Sequence, residues 1–325
     1  MMRRRDLLTT AARTAAALLL PNLLGPAVAQ STQKPMRLIF VHGRAQQGRD
    51  PEAVKAEWTA ALRAGAQKLG RQVPDGVEIA LPFYGDLIDG FAQQWDIPLA
   101  ADIQARGNRD DDEFLAFQAE IAEQLRVRAE ITDAQVNAEY GANPKPRGPL
   151  NWAWVQALLR SLDKYGPGVS KDTLEAFTRD VFLYATRAGI QDEIDRVVSK
   201  AFSEAPAVVV GHSLGSVVAY NILRTDRRAL KVPLFVTVGS PLGIRSIREQ
   251  FLPLRFPAPA VGAWYNAFDA RDVVALYPLD AANFPVAPSI ENYGGVKNQT
   301  DNRHGIAGYL DDAEIAKKIL DALGA

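Results

Sequence analysis

The sequence predicts an α/β protein: a mostly parallel, doubly wound sheet with a helical cap inserted after its second strand. Three observations predict it. Short apolar runs alternate with stretches of helical spacing, the pattern of a parallel sheet covered on both faces. One such run, 206–210, ends in Gly211-His212-Ser213-Leu214-Gly215 and passes into a helical stretch at 217–223. Between 86 and 205 no strand pattern appears, although helical spacing is frequent.

The first strand is expected at 36–41, Met-Arg-Leu-Ile-Phe-Val, running into His42-Gly43-Arg44. Asp50-Pro51-Glu52 then opens a helix with a capping carboxylate, a proline at the first position and an acid in the first turn. Val54, Trp58, Leu62 and Leu69 share its apolar face, and Gly70 ends it. The second strand is 77–81. Four helices follow, read from Phe114, Phe117 and Ile121; from Val155, Leu158, Leu159 and Leu162; from Leu174, Phe177, Val181 and Phe182; and from Ile190, Ile194, Val197 and Val198. A proline-rich stretch, 143–150, and Gly166-Pro167-Gly168 punctuate them. Strands three to five are expected at 207–210, 233–238 and 263–268, and a weak sixth near 293–296. Ile315, Ile319 and Leu323 align on a last helix, 313–323.

Composition bounds the function. The 325 residues are 47% hydrophobic and carry a net charge of −1, so the chain has no basic footprint for nucleic acid. Cysteine is absent, which excludes disulfides, thiolate metal sites and a cysteine nucleophile. Asp110-Asp111-Asp112 reads as a helix start with a solvated face rather than a calcium site. No metal-ligand cluster or phosphate-binding glycine loop appears, so neither a metal nor a cofactor is expected. Residues 1–29 read as an export signal: Arg3, Arg4 and Arg5, a weakly apolar stretch, then Ala27-Val28-Ala29 before Gln30. Arg13, Pro21, Asn22 and Gly25 interrupt that stretch, which argues for a removed signal and against an integral membrane span, for which about 20 apolar residues are needed. Arg4-Arg5-Asp6-Leu7-Leu8 resembles the core of a twin-arginine signal. The expected partner is then the twin-arginine export machinery and the expected location periplasmic or secreted. The mature chain divides into a core, 30–85 with 205–325, and the cap, 86–204.

The turn at 211–215 carries the chemistry. Strand, G-x-S-x-G and helix in that order form a nucleophile elbow, with Ser213 at the tip. A serine hydroxyl needs a base, and the chain has three histidines. His42 lies in the His-Gly turn after the first strand, and His212 is adjacent to the nucleophile; both read as framework or substrate-lining residues. His304, in a loop before the last helix, remains as the base. Its orienting acid is Asp272 or Asp269, both after the fifth strand; Asp272 is preferred because it lies far enough along the loop to turn back. The oxyanion donors are expected to be the Leu214 N–H and, from the turn after the first strand, Gly43 or Arg44, with Arg44 preferred.

Val41-His42-Gly43, Gly211-His212-Ser213-Leu214-Gly215, Gly239-Ser240-Pro241-Leu242-Gly243, Asn266 with Asp269 and Asp272, and His304 together resemble the serine esterase/lipase branch of the α/β-hydrolase superfamily. The resemblance covers 36–85 and 205–323, and the Val-His-Gly-Arg-Ala-Gln-Gln-Gly phrase is similar to one bacterial subgroup. The chain departs from the pattern at two points: the His-Gly turn lacks a Gly-Gly extension, and Asp272 is followed by Val273 where proline is usual. The resemblance implies hydrolysis of a small-molecule or lipid carboxylic ester through an acyl-enzyme. Acyltransferase, thioesterase and peptidase chemistry use the same triad, and a non-catalytic binding protein on the same fold is the reading from another class. Trp152, Trp154 and Phe182 are expected either to line an acyl pocket or to form the cap's own core.

Overall fold

The computed structural model describes residues 36–94, 109–141, 148–166, 168 and 170–325. The expected export signal lies outside them. Six strands form one sheet, β1 (Arg37–Val41), β2 (Glu78–Ala80), β3 (Ala207–His212), β4 (Val232–Val238), β5 (Val261–Ala267) and β6 (Glu291–Tyr293). Their order is β2-β1-β3-β4-β5-β6 and every pairing is parallel. The strands are the apolar runs of the sequence, with the sixth starting two residues earlier than expected. All six residues of β3 are buried. Its unbroken Val208-Val209-Val210 run fits a strand covered on both sides. Each such side chain contributes about 1.5–3 kcal/mol on burial.

Helices cover both faces of the sheet. On one, Leu38, Phe40, Val208, Val210, Val236 and Tyr265 pack with α1 (Pro51–Lys68), α10 (Ala307–Leu310) and α11 (Ala313–Leu323). The start of α1 is the one its sequence announces: Asp50 accepts from the Glu52 N–H, and Pro51 occupies the first turn. Val54, Trp58 and Leu62 face inward, and Gly70 follows the helix at φ +67°.

On the other face Ile39, Val41, Val209, Phe235 and Trp264 meet α8 (Leu214–Thr225). The described residues between β2 and β3 contain helices and no strand. These are α2 (Gly85–Gln94), α3 (Arg109–Arg128), α4 (Asp133–Tyr140), α5 (Trp152–Tyr165), α6 (Lys171–Thr186) and α7 (Ala188–Val198). Helices α3 and α5 to α7 sit where helical spacing places them; the first turn of α3 contains the Asp110–112 run. Helices α2 and α4 are additions. α2 has a glycine inside it, and α4 spans eight residues of which Val136 alone is buried. The buried residues of this segment and of the sheet face form one continuous cluster. No helix among the described residues is long and apolar enough to cross a membrane.

Candidate active site

The site forms at the C-terminal ends of β1, β3, β4 and β5, where a doubly wound sheet opens a crevice. Ser213 occupies the tight turn between β3 and α8, with φ 52° and ψ −129°. A non-glycine residue held there is strained, and the surroundings enforce it. The Ser213 N–H donates to the Val238 carbonyl over 3.2 Å, and its carbonyl accepts from the Ser216 N–H and hydroxyl. Both glycines of the elbow are needed. A Cβ at Gly215 would sit 2.1 Å from the Val41 carbonyl oxygen, and one at Gly211 would sit 2.7 Å from the Ser216 Cα. The turn is thus pressed between β1 and the first turn of α8.

The structure brings Ser213, His304 and Asp272 into one chain of hydrogen bonds. His304 Nε2 lies 2.8 Å from Ser213 Oγ, and His304 Nδ1 lies 2.6 Å from Asp272 Oδ2. A carboxylate accepts, so Nδ1 carries the ring proton and Nε2 is free to receive one from the serine. Asp272 is fully buried. Its Oδ1 accepts from the Val274 N–H at 3.0 Å, and its Oδ2 also accepts from the Tyr309 hydroxyl at 2.6 Å. Asp269 is committed elsewhere. Its carboxylate takes the Arg271 guanidinium at 2.9 and 3.0 Å, the Arg271 N–H at 2.8 Å and the Asn298 N–H at 2.7 Å. Burial pushes its pKa up, but those bonds outweigh it and hold the carboxyl below its ordinary range.

The two other histidines are neutral. His42 is fully buried, and burial depresses it to about 4. Its Nδ1–H donates to the Gly43 carbonyl at 2.7 Å, its Nε2 accepts from the Tyr84 N–H at 3.0 Å, and its ring stacks on Tyr84. Both ring nitrogens are used within the β1 turn, so His42 is framework and does not face substrate; this corrects its assignment as substrate-binding. His212 lines the pocket beside Ser213. Its Nε2–H donates to the His304 carbonyl at 2.7 Å, and burial, followed by the charge of His304, pulls its pKa well below the usual value.

The pocket at Ser213 measures about 230 Å³. Arg44, Ala45 and Gln46 form one wall, His212, Asn302 and His304 another, and Thr173 and Phe177 of α6 a third. The turn after β1 therefore reaches the nucleophile: a Cβ at Gly43 would come within 2.9 Å of Ser213 Cβ. The Leu214 N–H opens α8, where first-turn N–H groups have no partner within the helix. The Arg44 side chain is anchored to α6, its Nε donating to Asp180 Oδ2 over 3.2 Å, while Arg179 binds Asp180 Oδ1. Burial pushes the Asp180 pKa up, and the Arg44 and Arg179 charges oppose this.

Trp152 and Trp154 do not line this pocket, a correction to their expected role. The buried face of α5 packs with the neighbouring helices, and Trp154 stacks edge-on to Tyr140 and lines a separate cavity with Glu123, Arg126 and Arg245. Trp152 packs at the edge of the same helical cluster. Phe182 likewise lies in that cluster against Phe114 and Phe117. Phe177, one turn before Phe182 on α6, is the aromatic that reaches the site. Tyr309 and Asp180 are the site's other unanticipated members. Tyr309 follows His304 by five residues, but only the fold shows where its hydroxyl goes. Among the described residues no group of His, Asp or Glu is arranged to hold a metal. No protein-family model, no curated protein and no solved structure matches the chain.

Proposed function

We propose that the protein is a serine hydrolase that cleaves carboxylic esters through an acyl-enzyme. The observation that carries this reading is the hydrogen-bonded series Ser213 Oγ, His304 Nε2, His304 Nδ1, Asp272 Oδ2, its serine held at φ 52° on a strand-to-helix turn. In acylation Ser213 Oγ attacks the ester carbonyl carbon as His304 Nε2 takes its proton. The tetrahedral oxyanion accepts from the Leu214 and Arg44 N–H groups. Collapse breaks the C–O bond, and the leaving alkoxide takes the proton from His304. A water then attacks the acyl carbon, gives a proton to His304, and the acid leaves as Ser213 recovers its hydrogen.

The order Ser213, Asp272, His304 along the chain supports an α/β-hydrolase architecture. So does the placement of each residue after a successive strand of a parallel sheet. Residues 86–204 act in this reading as the cap, with α6 supplying Thr173 and Phe177 to the pocket. The small pocket favours short acyl groups, since drug-sized ligands occupy about 300–1,000 Å³. The N-terminal arginine pair and Ala27-Val28-Ala29 support export and a periplasmic or secreted location. Periplasmic protein should begin at Gln30, and Arg4→Lys with Arg5→Lys should block export by the twin-arginine route.

The decisive test is covalent labelling by a fluorophosphonate, together with hydrolysis of p-nitrophenyl esters of two to eight carbons. Ser213→Ala should abolish labelling and lower kcat by a factor on the order of 10⁶. Undiminished turnover in purified Ser213→Ala would remove the nucleophile and the reading with it.

A further inference from the structure

Asp272 is a carboxylate with no exposure to solvent and no cation of its own, since the neighbouring Arg271 is bound to Asp269. A buried carboxylate stays charged only if donors replace its water. Among the described residues it has three. Val274 N–H belongs to its own loop. His304 Nδ1–H is the group it is there to orient. The third is the Tyr309 hydroxyl, at 2.6 Å from the same oxygen, Oδ2, that faces the histidine. Tyr309 is therefore the one donor that fixes the carboxylate from another element and is not itself part of the reacting series.

We infer that Tyr309 is a positioning residue of the catalytic site, acting on Ser213 and His304 only through Asp272. The inference rests on the ester-hydrolase reading for its kinetic consequence, though not for its geometry.

The tyrosine is itself held at both ends. Its ring is fully buried, and its hydroxyl oxygen accepts from the Asp269 N–H at 3.3 Å. That bond takes up a lone pair and leaves the O–H directed at Asp272. Room for the ring is made at Gly239, φ +58°, where a Cβ would meet Tyr309 Cε2 at 3.0 Å and the His304 ring at 3.2 Å. The loop that carries His304 continues directly into α10, so one chain segment delivers two donors to one oxygen. Burial, followed by the charge of Asp272, drives the Tyr309 pKa well above its ordinary value. The phenol thus remains a donor throughout the cycle. When His304 takes the serine proton, the imidazolium forms against an oxygen that cannot turn away. Tyr309 gives up no proton at any step. The arrangement also accounts for the paired acids of Asp269-Ala-Arg-Asp272: the first braces the loop and the tyrosine, and the second serves the histidine.

The test compares Tyr309→Phe, Asp272→Asn and the double variant, using p-nitrophenyl acetate and the low-field NMR resonance of the His304 Nδ1 proton. Tyr309→Phe should lower kcat by roughly 10- to 100-fold with KM within about twofold, and should displace the resonance. In the Asp272→Asn background it should cost nothing further, because the two residues act as one unit. 3-Fluorotyrosine at position 309 keeps the hydroxyl and its contacts, and should move the resonance by less; it answers the question if the phenylalanine variant does not fold. Equal fold losses in both backgrounds, or an unchanged resonance with kcat within twofold of the parent, would overturn the inference. If the parent neither hydrolyses esters nor accepts the fluorophosphonate, the ester-hydrolase reading fails, and the resonance alone decides the role of Tyr309.

Discussion

The Nε2–H of His212 donates to the backbone carbonyl of His304 over 2.7 Å, so the histidine before the nucleophile holds the loop that carries the base. The two rings lie 4.8 Å apart. Their roles differ because their environments do: His304 reaches Ser213 and a carboxylate, whereas His212 is buried with a carbonyl as its partner.

His212→Phe should therefore lower kcat by about tenfold, the worth of one hydrogen bond of about 1.4 kcal/mol. His212→Gln, which keeps an N–H donor, should recover much of it. His304→Ala should cost several orders of magnitude. Steady-state rates on a single ester rank the three. A loss at His212→Phe equal to that at His304→Ala would make His212 the base.

Asp272→Asn should reduce kcat by about 10⁴ while leaving the fold intact, because an amide facing His304 Nδ1 selects the wrong tautomer. Asp269→Asn should act mainly on stability. It leaves the Arg271 guanidinium and the Asn298 N–H with a neutral partner in place of an ionised one, costing about 1–3 kcal/mol. Thermal melts and kcat, measured on both variants, separate the roles. The reverse ranking in kcat would transfer the acid to Asp269.

Much of this site is legible in the chain because its parts are local. Ser213 announces itself through five residues and the elements flanking them. Three histidines leave few candidates for a base, and His304 falls just before a helix that the alternation of the sheet leads to. The strands of the parallel sheet read clearly because both their faces are apolar, as at Val208-Val209-Val210. What stays hidden depends on contacts across long sequence separations. Arg44 and Asp180 are 136 residues apart. The partners of α6 decide that Phe177 faces the pocket and Phe182 the helical cluster, although both carry the same apolar spacing. Trp154 reads equally well as pocket or core, because periodicity identifies the buried face of α5 without identifying what buries it. Helix α4 escapes notice for a related reason, since its sequence buries a single side chain.

Asp195 should make the protein less stable as pH rises. Its carboxylate accepts from the Tyr184 hydroxyl and the Asn221 amide, both at 2.7 Å, beneath the helix that follows the nucleophile. Burial raises its pKa from 3.8 to about 6. A carboxyl raised in the folded state gives stability that is complete below about pH 3.8 and lost as pH climbs through about 6. The shift corresponds to about 3 kcal/mol. Asp195→Asn should recover about 1–2 kcal/mol of it at pH 7.5, after weaker hydrogen bonds to a neutral acceptor are counted. Urea midpoints should show the variant above the parent at pH 7.5 and level with it at pH 4. A variant no more stable than the parent at pH 7.5 would refute this.

His42 should act with the opposite sign over a neighbouring window. Burial lowers its pKa from 6.5 to about 4, and the hydrogen bond to the Gly43 carbonyl only partly opposes this. The unfolded chain then takes up a proton first as pH falls. Stability present above about 6.5 is lost down to about 4, by about 3 kcal/mol. His42→Phe keeps a ring against Tyr84 but leaves the Tyr84 N–H without its acceptor. It should be less stable than the parent at pH 7.5 by about 1–3 kcal/mol, the cost of an unsatisfied buried donor. It should also lose less on acidification, since it has no ring to protonate. The discriminating quantity is the change in urea midpoint between pH 6.5 and 4.5, measured in the Asp195→Asn background so that the opposing carboxyl is silent. A parent histidine that leaves this slope equal to that of the phenylalanine variant is not the group that titrates.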